Sequence, residues 1–297
     1  MKTEQNTNTE PNVDPTNIEL VDVVEEHTSD ESVDEPVQEP ADPGVAEPVG
    51  TSESIRMATL TKIVNNQLTV NNAMAGEDWL IQAAKHGDID YRMAILDELQ
   101  EFWTSAWKFK WWDKTNANID YRNSRMELVD ILHFAVSEDL VLQFGPHTTL
   151  QKTVDWVSRE AADSVLLALE DMTRDIPAGR EARLKDAMMR FINQLTATGS
   201  VVSWKHFWLM VMLNDPEEDG APEEAVSKVL FLYSAKAVLN QFRTRHRASP
   251  RGYKKVWIDG REDNDVMMSW LDTLPSPPTD QEINGWLEQM YSRVRSV

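Results

Sequence analysis

Carboxylates recur at helical spacing in two places along this chain. In "ILDELQEFWTSAWKFKWW", Ile95 to Trp112, Glu98 and Glu101 stand at i and i+3, and in "NSRMELVDILHF" Glu127 and Asp130 repeat the pattern. Residues three apart share one helix face, one turn from each other. Two helices of similar length joined by a loop of roughly a dozen residues lie antiparallel, so both pairs could project into the same gap. Four carboxylates in a dry gap repel one another and lose hydration, which raises their pKa values or splays the helices unless cations neutralise them. Mg²⁺ suits all-oxygen ligands of this kind. Either pair alone could be a solvated acidic face. The apolar neighbours Ile95, Leu96, Leu99 and Phe102, and Leu128, Val129, Ile131 and Leu132, leave little room for a wet stripe.

A divalent-metal cage of carboxylates in a helical bundle suits phosphate chemistry, in which cations neutralise charge building up on phosphate oxygens and lower the pKa of a water. Such a site also needs cationic side chains for distal phosphates and a pocket for the group that the phosphates are attached to. The stretch "LYSAKAVLNQFRTRHRASPRGYKKVWIDGREDN" concentrates Lys236, Arg243, Arg245, Arg247, Arg251, Lys254 and Lys255. Within it, Lys236, Asn240 and Arg243 fall at i, i+4 and i+7, one stripe of a helix able to donate to a polyphosphate. Taken alone, that stripe reads as a solvated basic face. Earlier in the chain, Gln67 and Asn71 are amides at i and i+4, each able to donate and accept along a pyrimidine edge, and Trp79 could stack on a ring. Polar helix positions and a buried tryptophan are the plainer account of that trio. His133, alone on an apolar face, reads as a hydrogen-bonded core histidine.

The elements that must position these residues are helical. From about Ile55 onward apolar residues recur with helical spacing, strand-like alternation is scarce, and only 11 glycines are present. The expected fold class is all-α, a helical bundle. Ile63, Leu68 and Val70 mark a first helix closed near Gly76, and a second runs from about Asp90 to Phe109. Asn123 or Ser124 could cap a third that stops before Gly145-Pro146. Amphipathic segments follow at about Leu150–Met172 and Arg180–Ala197, then an aromatic one at Trp204–Leu213. Pro222 with Glu223 and Glu224 starts a helix through Arg245, and the C-terminal stretch reads as a turn and a short helix.

Residues 1–55 hold fifteen acidic side chains against one lysine, six prolines and no aromatic residue, in a chain of net charge −21. That composition cannot bury a core, so 1–55 reads as a disordered acidic tail and 56–297 as one all-α domain. With no cysteine, thiolate zinc sites and cysteine nucleophiles are excluded. No basic excess favours a nucleic-acid backbone, and no leader or membrane-length apolar run is evident, which leads us to expect a cytoplasmic protein without direct nucleic-acid or membrane binding.

With these motifs assembled, the chain resembles the dimeric, all-α dUTPase family, which includes bacteriophage dCTP/dUTP pyrophosphatases and belongs to the MazG-like all-α NTP pyrophosphatase superfamily. The resemblance rests on "AILDELQEFWTSAWKFKWW", "NSRMELVDILHF" and the Lys236-to-Asn264 stretch, with a weaker match at "QLTVNN", and covers about Ile63–Met268. It implies that Glu98, Glu101, Glu127 and Asp130 hold Mg²⁺, two or more ions per site. It also implies that a glutamate, Glu98 or Glu101, helps to activate the attacking water. Lys236, Asn240, Arg243, Tyr253, Lys255 and Asn264 would contact phosphates or sugar, and Gln67, Asn71 and Trp79 would line the base pocket. Lys110, Trp111 and Trp112 match the family's K-W-W run.

The activity so implied is Mg²⁺-dependent hydrolysis of a pyrimidine deoxynucleoside triphosphate, dUTP first and dCTP or dTTP next, to the monophosphate and pyrophosphate. A homodimer and a role in bacteriophage nucleotide metabolism, in the host cytoplasm, go with it. The alternative is a catalytically inactive interaction protein that uses a pyrophosphatase-like core and acidic tail to bind a replication partner.

Overall fold

In the computed structural model, residues 51–87, 89–107, 119–174, 178–197, 204–214, 221–247, 252–257 and 260–295 are described. The structure of these residues is built on ten helices and contains no sheet; an isolated bridge between Val256 and Glu262 is its closest approach to one. The expected acidic tail lies outside the described residues except for its last five positions, which belong to the first helix: α1 runs Thr51–Ala75, longer at its N-terminal end than apolar periodicity suggested. It stops at Gly76, whose φ of 107° suits a residue without a Cβ, as expected. A short helix that the sequence reading had not separated, α2 (Trp79–His86), follows and closes on Gly87 in the left-handed conformation.

Two helices carry the acidic pairs. The N-cap of α3 (Tyr91–Ala106) is Asp90, whose side chain accepts from the Met93 N–H at 3.1 Å. α4 (Tyr121–Gln143) is capped by Asp120, which accepts from the Asn123 N–H at 2.9 Å. The cap expected at Asn123 or Ser124 therefore sits a turn earlier, because Asp120 supplies the carboxylate that an orphan N–H at a helix start attracts. Their pairing is antiparallel, as two contacts at opposite ends show. The Ser105 carbonyl accepts from the Asp120 N–H at 3.0 Å where α3 ends and α4 begins, and Arg92 near the start of α3 pairs with Glu138 near the end of α4 at 2.6 Å.

The rest of the chain builds the wall against which this pair stands. α5 (Leu150–Met172), α6 (Arg180–Ala197) and α7 (Trp204–Asn214) pack together, with Trp204, Phe207 and Trp208 of α7 fully buried beside Phe191 of α6. α8 (Pro222–Arg247) begins at Pro222 as expected and crosses α1 and α4. α9 (Asp263–Leu271) and α10 (Asp280–Arg295) complete the described chain, the latter burying Ile283, Leu287 and Tyr291 against α8. One contiguous core results. Leu60, Ile63 and Val64 of α1, Leu128, Val129, Ile131 and Leu132 of α4 and Tyr233, Leu239 and Phe242 of α8 meet in it. α4 is buried over most of its circumference, so any polar side chain on it must find a partner or a cavity. No helix among the described residues is long and apolar enough to cross a membrane.

Candidate active site

Between the two contacts that fix the α3–α4 register, Glu98 and Glu101 face Glu127. One carboxylate oxygen from each of the three lies within 4.8 Å of the others. Glu127 is buried, Glu98 half-buried and Glu101 exposed, so the cluster opens to one side. Asp130, one turn beyond Glu127, is not part of this group: its Oδ2 accepts from Lys236 Nζ of α8 at 2.7 Å, and Lys236 is itself buried. The structure thus gathers three of the four expected ligands and ties the fourth to a lysine expected on phosphate. The buried ammonium beside that carboxylate offsets part of the local negative charge.

The electrostatics follow from this crowding. Burial pushes the Glu127 carboxyl up to about 8, with Asp130, Glu101 and Glu98 adding to the rise and Lys236 opposing it. Glu98 is pushed up to about 7, again by burial first and then by Asp130 and Glu101, and it shares a hydrogen bond with Glu127. Burial and mutual repulsion thus raise the affinity of Glu127 and Glu98 for a proton. Three converging carboxylates with mutually raised affinity for positive charge are the donor set that a hard divalent cation takes, so the residues fit Mg²⁺.

The cluster faces a cavity of about 780 Å³. Lys236, Asn240, Arg243, Lys255 and Asn264 line it, whereas Tyr253 does not. Tyr253 lines a smaller recess of about 310 Å³ with Arg243, Arg247 and Lys255, and its hydroxyl donates to Asp263 Oδ2 at 2.5 Å. Asp263, in the Glu262-Asp263-Asn264 run that closes the basic stretch, is a site residue that no spacing in the sequence singles out. Fully buried, it takes both Nε and Nη2 of Arg243, at 2.8 and 2.6 Å, while Arg243 Nη1 donates to Asn240 Oδ1 at 3.0 Å. Burial alone would raise the Asp263 carboxyl, yet Arg243 and Tyr253 hold it below its ordinary value. A guanidinium fixed by a bidentate carboxylate is preorganised, with its remaining N–H donors free for an anion.

At the other end of the cavity stand Gln67, Asn71 and Trp79. Gln67 donates to Asn71 Oδ1 at 2.9 Å, and the Trp79 indole N–H donates to the Tyr91 hydroxyl at 3.0 Å. The Trp79 ring is buried edge-on against Tyr91, so it forms wall rather than a free stacking platform. His133 also lines this end; it is hydrogen-bonded through Nδ1 to Gln67 Oε1 at 2.6 Å, as a core histidine should be, but it borders the cavity too. Lys110, Trp111 and Trp112 lie outside the described residues.

A family profile described as dUTPase matches residues 59–247. That stretch contains all four acids, the amides, Trp79, Lys236, Asn240 and Arg243; Tyr253, Lys255 and Asn264 lie beyond it. No curated protein matches the chain. With a helical fold, the acidic cluster on α3 and α4 and a match across more than half of its length, the chain belongs to the helical dUTPase family.

Proposed function

We propose that this protein hydrolyses a pyrimidine deoxynucleoside triphosphate, dUTP first among them and dCTP or dTTP next, to the monophosphate and pyrophosphate in a Mg²⁺-dependent reaction. The observation that carries this reading is the juxtaposition in one cavity of the Glu98, Glu101 and Glu127 cluster with Lys236, Asn240 and Arg243. Acids alone would hold a cation, and bases alone an anion. Together they suit a substrate that is a polyanion escorted by metal.

Glu98, Glu101 and Glu127 would hold Mg²⁺, two or more ions per site, with Asp130 adjoining. Bound there, the metal supplies charge neutralisation to phosphate oxygens and lowers the pKa of nearby water. Lys236, which pairs with Asp130 and lines the cavity, would offer its remaining N–H donors to phosphate. Arg243, braced by Asp263, keeps its remaining donors aimed without rearrangement, and Asn240 and Asn264 offer amides beside it. Glu98 or Glu101, as carboxylates, would accept the proton of the attacking water. Lys255 adds charge at the cavity mouth, and Tyr253 serves at one remove by bracing Asp263. Gln67, Asn71 and Trp79 would form the base pocket.

A homodimer, a cytoplasmic setting and a bacteriophage role that removes an unwanted nucleotide while supplying its monophosphate belong to the same proposal, resting on the family. The deciding experiment is anion-exchange analysis of products from each of dUTP, dCTP, dTTP, dATP and dGTP, with Mg²⁺ and with chelator. A pyrimidine monophosphate plus pyrophosphate, formed only with metal, is the expected result. Absence of turnover for all five would remove the enzymatic reading.

A further inference from the structure

The guanidinium of Arg243 is held by more than the carboxylate beside it. Asp263 Oδ2, which accepts from Arg243 Nε, also takes the Tyr253 hydroxyl at 2.5 Å, and the Asp263 N–H donates to the Lys255 carbonyl at 2.9 Å. Burial, followed by the bond to Asp263, raises the Tyr253 hydroxyl above its ordinary value, so it stays a donor at neutral pH. That hydroxyl lies in the plane of its ring, so its aim depends on what holds the ring.

The ring is held by Tyr291 of α10. The two rings stack with centroids 5.0 Å apart and planes 28° from parallel, and the Tyr291 hydroxyl accepts the Lys254 N–H at 3.0 Å. Tyr291 is buried, and it also meets Phe242 edge-on, with centroids 5.5 Å apart and planes at 87°. Both geometries are attractive ones for aromatic pairs. Phe242 is the residue before Arg243, so the contacts close a circuit. Arg243 grips Asp263, Asp263 takes the hydroxyl of Tyr253, Tyr253 stacks on Tyr291, and Tyr291 returns to the helix that carries Arg243. A circuit without a free end holds the guanidinium in one direction. It removes the ordering cost that a loose arginine incurs when it meets an anion.

We propose that Tyr291 is a positioning residue of the anion-binding arm, which acts through Tyr253 and Asp263 to aim Arg243 at the polyphosphate. No described residue of α10 lines the cavity, and the whole helix lies beyond the matched residues 59–247. The inference rests on the triphosphate hydrolase reading and extends its machinery to a helix that touches no substrate.

The test compares full-length wild-type protein with Tyr291→Leu, Tyr291→Phe and a control, Ile283→Ala, which empties a buried position about two turns earlier on the same helix. Two quantities are read: kcat and KM for dUTP, and calorimetric Kd for inorganic pyrophosphate with Mg²⁺, which needs no turnover. Tyr291→Leu should raise KM and Kd about tenfold each while kcat stays within about threefold. Tyr291→Phe keeps the stack and loses only the acceptor for Lys254, so it should fall between Tyr291→Leu and wild type. Adding Tyr253→Phe to Tyr291→Leu should weaken pyrophosphate no further than the worse single variant, because both open one circuit. Ile283→Ala should lower Tm and leave KM and Kd unchanged, since loss of folded protein reduces kcat and binding stoichiometry but not affinity. Should Tyr291→Leu fail to fold, Tyr291→Phe carries the test with a rise in Kd of about threefold. An unchanged Kd in the folded Tyr291 variant, full additivity with Tyr253→Phe, an equal rise in Ile283→Ala, or no pyrophosphate binding by wild type would each overturn the proposal. If no triphosphate is hydrolysed yet the Tyr291 variants weaken pyrophosphate binding, the hydrolase reading fails and the positioning role stands.

Discussion

Glu127 is where the crowding of acids is felt most. Its carboxyl is raised to about 8 and that of Glu98 to about 7, both far above the values of an unfolded chain. A carboxyl raised in this way stabilises the fold only while protonated. Its contribution is complete below the unfolded pKa and is lost as pH climbs through 7 to 8. In chelator the protein should therefore lose thermal stability between about pH 5 and 8, whereas Mg²⁺ bound by the carboxylates as proposed should raise Tm by an amount that grows over the same window. Glu127→Gln removes the titrating group in nearly the same shape. In chelator at pH 8.5 that variant should melt higher than wild type, yet lose turnover by about two orders of magnitude or more. Glu98→Gln and Asp130→Asn should also abolish turnover with the fold kept, as judged by circular dichroism; full activity in both would sink the assignment of metal ligands. The two acidic pairs were legible from spacing alone. The Lys236–Asp130 pairing was not, since nothing in either residue's neighbourhood along the chain announces a partner on a distant helix.

At the scale of elements, α4 is the helix on which the site depends and also the one least tolerant of error. It buries Asp139 completely, with Oδ2 accepting from the Trp204 indole N–H of α7 at 2.5 Å and Oδ1 without a partner. Burial pushes this carboxyl up to about 8, against the opposing hydrogen bond from Trp204. The sign is that of Glu127: stability present at low pH is lost as pH rises toward and past 8. Asp139→Asn keeps an acceptor for Trp204 and cannot ionise, so above pH 8 it should raise Tm relative to wild type. Asp139→Ala should cost about 1–3 kcal/mol at neutral pH, because the buried indole N–H is left unsatisfied. Urea melts of both variants at pH 6 and 9 would check the pair of expectations. Helical periodicity had made α3, α4 and α8 legible to within a few residues, because each carries a long run of buried side chains. The eight residues of α2 are too few to show a period, and the cap of α4 was misplaced because three polar candidates within five residues, Asp120, Asn123 and Ser124, precede or open its first turn.

For the whole molecule, the segment between α4 and α8 had no role legible in the sequence. The structure makes it a support: Trp204, Phe207 and Trp208 of α7 fill the space between α5, α6 and α4, so the antiparallel α3–α4 pair and α8 are held at the spacing the cavity needs. None of the candidate site residues lies before Gln67, and the family match begins at residue 59. Residues 1–50 hold fourteen acidic side chains and one lysine, so their removal takes the formal net charge from −21 to −8. A polyanionic substrate approaching a strongly acidic protein meets long-range repulsion that salt screens over about 8–10 Å at physiological ionic strength. A protein beginning at residue 51 should therefore keep kcat within about twofold, show a lower KM for the triphosphate at low salt, and match the full chain at high salt. The discriminating measurement is KM against ionic strength for both proteins with Mg²⁺ held saturating. A collapse of kcat on truncation would instead give the acidic segment a part in the active fold. Unchanged kinetics at every salt concentration, with loss of a bound partner, would give weight to the segment as a docking element, the role required of it if the helical core served only as a scaffold.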